Sequence, residues 1–133
     1  MVIPNEFKHL ILNTAPRHTV KAIAPSTYTD LINSPSLIIW DGASEHTIWA
    51  DKRVNWAFRA LHDQLHLETR IGFSPLEEIH IGRIQASQYE SYSSYLADLV
   101  YIETAGQAEY FLKNGIFVQD QVEFTKVSLK TIR

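Results

Sequence analysis

The sequence predicts a mainly α-helical fold: a bundle of three to four helices preceded by an irregular N-terminal segment that holds one or two short strands. Three observations carry this expectation. Apolar residues recur at helical spacing through residues 51–68, a helix-start signature stands at Ser74-Pro75-Leu76-Glu77, and residues 95–113 are apolar nearly all round before Asn114-Gly115. At 133 residues the chain is expected to form one domain, with 1–50 as a wrap and 51–133 as the helical core.

Four of the five prolines, Pro4, Pro16, Pro25 and Pro35, fall within residues 1–50, so no long helical pattern survives there. Residues 7–12 and 36–40 read as short strands or extended segments. Ser26 reads as the cap of a single helical turn through Leu31 and Ile32, and Asp41-Gly42 is a turn signal.

In residues 51–68, Asp51 is placed to cap a helix on which Val54, Phe58, Leu61 and Leu65 form one apolar stripe. Beside it Asn55, Arg59, His62 and His66 fall within a narrow arc, with Trp56, Ala60 and Leu67 beyond them. A polar stripe between two apolar shoulders points into the protein, where each group needs a partner. Gly72 is the expected C-terminal cap residue.

The second helix starts with Ser74 as cap, Pro75 at the first position and Glu77 three residues after the cap. Glu78, Gly82, Gln85 and Tyr89 share one of its faces, and Gly82 would let another helix approach closely. The weak helix formers of residues 87–94 predict a bend or break. On the helix that follows, Leu96, Leu99, Val100, Glu103, Gln107 and Tyr110 lie on one side, so Glu103 requires either a partner or a raised pKa. Residues 117–132 complete the chain as a last helix with Phe117, Gln121, Phe124 and Ser128 on one face.

A net charge of −3 with well-mixed signs leaves no electrostatic footprint for nucleic acid or an anionic membrane. There are no cysteines, which removes disulfides, thiolate zinc sites and cysteine nucleophiles, so any transition metal must be held by His, Asp or Glu. No leader pattern or membrane-length apolar run is present, and a cytoplasmic protein is the expectation.

His62 and His66, four apart, put two imidazoles on one helical face within reach of a single ion. Glu78 is the first candidate for a third ligand and Glu103 the second. Both can serve only if the chain turns back near residues 87–94, because on one straight helix they would be about 37 Å apart. Asp63 takes the place of the general base of His-Glu-x-x-His zinc hydrolases, one methylene shorter, and Arg59 is a candidate anion or substrate contact. Two imidazoles and a carboxylate suit zinc or iron(II). Each residue also has a structural reading: the histidines as hydrogen-bonded core groups, Asp63 paired with Arg59, Glu78 as helix-start chemistry, and Glu103 satisfied by Arg59 or Gln107.

The pattern Asn55-x-x-Phe58-Arg59-x-x-His62-Asp63-x-x-His66, Phe73-Ser74 with Glu78, Glu103-x-x-Gly106-Gln107 and Asp120-Gln121-x-x-Phe124 resembles a group of uncharacterised proteins of tailed phages and marine viral metagenomes, over roughly residues 37–130. The resemblance implies an α-helical family in which the histidine pair belongs with Glu78, Glu103 and Gln107, in the cytoplasm of the host cell if the chain is viral. A second resemblance is to HD-type phosphohydrolases, and it implies His46, His62, Asp63 and Asp98 as metal ligands.

Three functions follow as expectations: a metal-dependent hydrolase of a small-molecule or peptide substrate, a non-catalytic structural or accessory protein whose His/Glu/Arg network fixes helix packing or a homo-oligomer, and an HD-type phosphohydrolase.

Overall fold

Pro4, which lacks an N–H to donate, stands at the start of the first helix, and its carbonyl accepts from the Phe7 and Lys8 amides. The structure is a computed structural model that describes residues 1–132 and is mainly helical. Its residues cluster into two compact units, 2–71 and 72 onward.

The first unit runs α1 (Asn5–Thr14), β1 (Thr19–Lys21), α2 (Tyr28–Asn33), β2 (Ile38–Trp40) and α3 (Lys52–Thr69). Residues 7–12, expected as strand or extended chain, are helical. Phe7 and Ile11, one turn apart, are both buried as α1 packs against α3, and a six-residue stretch is too short for its period to be read alone. The expected strand near residue 40 is β2, which pairs in parallel with β1 (Thr19 with Ile38, Lys21 with Trp40), with α2 as the crossover. Thr27 rather than Ser26 caps α2, accepting from the Asp30 amide at 3.1 Å. Asp51 caps α3 as expected, and Val54, Phe58 and Leu65 are buried along its apolar stripe.

α3 ends on Arg70 in the left-handed conformation (φ 60°), not on Gly72. Gly72 has another use: its amide donates to Glu77 Oε2 at 2.8 Å, and a Cβ there would sit 3.1 Å from both carboxylate oxygens.

The second unit contains α4 (Pro75–Ser87), α5 (Ser94–Tyr101), a π-helical turn (Ile102–Gly106), α6 (Gln107–Asn114) and α7 (Gln121–Ile132). Ser74 and Glu77 form the expected capping box at the start of α4. The chain reverses through residues 88–92, Ser93 caps α5, and α4 then packs along α5, the π turn and α6. The close approach expected at Gly82 is real, since a Cβ there would strike the Ala105 amide nitrogen and Thr104 Oγ1. The expected single helix through residues 95–113 contains the π turn, where the Thr104 hydroxyl donates back to the Val100 carbonyl at 2.7 Å. Gly115 (φ 75°) stops α6, and α7 buries Thr125 alone.

Gly82→Ala is expected to destabilise the protein by about 1–3 kcal/mol, because the obstruction is backbone and cannot swing away. Urea unfolding followed by circular dichroism checks this, and an unchanged midpoint would mean that α4 is not pressed against the π turn.

Candidate metal centre

The polar stripe of α3 divides along its length into two tasks. Its first half holds the loop of residues 41–50. Asn55 Nδ2 donates to Ser44 Oγ at 2.9 Å, and the Arg59 guanidinium donates to the carbonyls of Trp40 (2.7 Å), Gly42 (2.7 Å) and Ala43 (3.3 Å). Burial lowers the Arg59 pKa, while the charges of Asp63 and Asp41 raise it and favour the cation. The loop needs such fastening, since Ala43 (φ 51°) and Ala50 (φ 52°) both hold left-handed conformations that L-residues resist.

The second half of the stripe carries the histidines. His66 is fully buried, and its Nδ1 lies 2.7 Å from the Ile71 carbonyl, which can only accept. The proton therefore sits on Nδ1, and Nε2 presents a lone pair. That lone pair faces His62 Nε2 at 3.2 Å, with the rings edge to face at 79°. An ion about 2.0–2.1 Å from two imidazole nitrogens at tetrahedral or octahedral angles separates them by roughly 2.9–3.4 Å, so the pair already has the spacing of two ligands on one metal.

Glu78 lies in the first turn of α4. Glu103 lies on the π turn. Its Oε1 accepts from Thr125 Oγ1 at 3.2 Å, and burial pushes its carboxyl up to about 7, against the lowering influence of Thr125 and of the Gln107 amide beside it. Asp63 is half-buried next to His62 on α3. Of the outer ligands implied by the HD-type resemblance, His46 is exposed in the 41–50 loop, and Asp98 lines a groove with Arg83 and Tyr101. His9 and His80 are exposed, and His18 Nδ1 bonds to the Pro16 carbonyl at 2.7 Å.

Two features of the site escaped the sequence. The Ile71 carbonyl that sets the His66 tautomer has no side-chain signature, and the π turn that carries Glu103 announces itself only by two weak helix formers, Thr104 and Gly106, in an apolar helix. Comparison with known protein families, with curated proteins and with solved structures finds no match. Among the described residues, no helix is long and apolar enough to cross a membrane.

Because the folded pKa of Glu103 lies above its ordinary value of 4.5, its contribution to stability is fully present below pH 4.5 and is lost as pH rises through about 7. In metal-free protein, Glu103→Gln is expected to flatten the stability profile over this window and to be the more stable form at pH 8, by up to about 3 kcal/mol. Denaturant melts at pH 5 and pH 8 for both proteins check the sign.

Proposed function

We propose that the protein binds a divalent metal ion, zinc or iron(II), through His62, His66 and Glu78, and uses it for hydrolysis. The observation that carries this reading is the histidine pair itself: two Nε2 atoms 3.2 Å apart, one of them with its lone pair fixed by the Ile71 carbonyl on the far side of the ring. That outer hydrogen bond is the usual support of a metal-binding histidine. Three protein ligands leave a coordination position for water, whose pKa a zinc ion brings down to about 7. Asp63, beside His62, is the candidate base for that water.

One observation favours a second reading. The same 3.2 Å also suits an Nε2–H···Nε2 hydrogen bond, and Asn55 and Arg59 on the same stripe already do structural work on the 41–50 loop. On that reading the stripe is a structural network without a reaction.

Elemental analysis of tag-free protein separates the two. Wild type is expected to carry about one equivalent of zinc, iron or manganese, the double variant His62→Ala, His66→Ala none, and Glu78→Gln a metal affinity lower by at least about tenfold. Added metal should raise the melting temperature of wild type and not of the double variant. His46→Ala and Asp98→Ala should leave metal content unchanged, and a loss there would support the HD-type ligand set instead. Wild type that takes up no metal after incubation and desalting would leave the structural network as the reading.

A further inference from the structure

The last helix of the second unit is thinly held by its own chain. α7 spans 12 residues and buries Thr125 alone, whose hydroxyl bonds to Glu103. A lone helix of that length is marginal in water and draws its stability from the surfaces that cover it. At about 100° per residue, Gln121, Val122, Thr125, Ser128 and Leu129 form the face turned to the unit, and all are buried or partly buried. The opposite face carries Glu123, Val127 and Lys130, with Phe124 on one shoulder and Lys126 on the other. Val127 exposes more than half of its surface there.

The stretch leading into α7 is apolar and exposed as well. Leu112, Ile116 and Phe117 each expose more than half of their surface. The Phe117 ring stacks on Phe111 at 4.6 Å, and Phe124 meets Tyr110 edge to face at 5.5 Å, so these aromatic groups are set in place before anything docks on them. Large apolar side chains grouped on a surface mark an interaction site.

The charges say what covers it. Residues 107–132 carry three acidic and three basic side chains, which gives no net attraction to an anionic membrane or a strongly charged partner. Among the described residues, Glu123, Lys126 and Lys130 have no ion-pair partner. Glu123 lies about 6 Å before Val127 along the helix axis, and Lys130 about 4.5 Å after it. When two copies of α7 lie antiparallel about a two-fold axis at Val127, each Glu123 comes level with Lys130 of the partner subunit, to within about 1.5 Å along the axis. Both pairs form at once, because an isologous contact repeats every interaction. Phe124 and Val127 supply apolar contact along the other side of the same seam. The partner's helix then ends alongside the start of α7, where the Phe117 stretch leads in. A parallel pair would set Glu123 against Glu123 and Lys130 against Lys130, so the charges also choose the direction.

We infer that the α7 face of Glu123, Val127 and Lys130 is the docking surface for a second copy of this chain, in an antiparallel two-fold pair. This contact is independent of the metal reading above. One helix face and one loop make a patch below the about 800 Å² per partner of a standard interface, so the dimer is expected to form in the micromolar range.

Sedimentation equilibrium of the full chain at rising concentration tests this. Wild type should show a monomer–dimer equilibrium. Glu123→Lys and Lys130→Glu, each alone, place like charges opposite one another at both ends of the seam and should raise the dimer Kd at least about tenfold. Mixing the two single variants should restore association, because an all-basic face then meets an all-acidic one. Restored association also shows that both variants are folded. Wild type that stays monomeric, single variants that dimerise like wild type, or a mixture that does not associate overturns the inference. So does monomeric protein that instead sediments with vesicles of zwitterionic and anionic phospholipid, a result that would assign the exposed apolar stretch to a membrane surface.

Discussion

A polar group cut off from water must be partnered inside the protein, and the polar stripe of α3 runs between apolar shoulders that deny it water. Much of the first unit follows from meeting that demand. Arg59 cannot reach bulk solvent fully, so its donors are taken by the carbonyls of Trp40, Gly42 and Ala43. Those bonds hold the loop at Ala43, which keeps a left-handed conformation. His66, with no exposure at all, answers the same constraint through the Ile71 carbonyl on one side and His62 on the other. A stripe that looks uniform as sequence is therefore half fastening and half candidate ligand set.

The second unit depends on a different necessity, the absence of a side chain at Gly82. Only there can α4 press onto backbone of the π turn, and the press sets the levels of Glu78 and Gln107 along their helices. Burial then acts on Glu103, whose carboxyl is held near neutrality by loss of hydration more than by any charged neighbour. Desolvation thus shapes both units. In the first it fixes a tautomer, and in the second it raises a carboxyl toward the range where proton transfer is cheap at physiological pH.

The helical class and most element boundaries were legible because local signals dominate them: the Asp51 and Ser74 caps, the weak helix formers around residue 90, and Gly115 after Asn114. Where one short stretch admitted two periods, the sequence misled. Residues 7–12 became helical because Phe7 and Ile11 pack against α3, a contact no local pattern contains. Gly72 suggested a helix terminator, yet Arg70 adopts the left-handed cap while Gly72 makes room for the Glu77 carboxylate.

By itself the sequence determined which residues could act together on one helix. His62 and His66 share a face because a turn is 3.6 residues, and Gly82 shares one with Glu78 for the same reason. Only the tertiary structure decided which of these groups meet. It set the two histidine Nε2 atoms 3.2 Å apart, gave the Arg59 donors to the carbonyls of a loop, and buried Glu103 against Thr125. The physical reason is that periodicity is a property of one helix, whereas the partner of a buried polar group is supplied by whatever chain packs against it, at distances that sequence spacing does not encode.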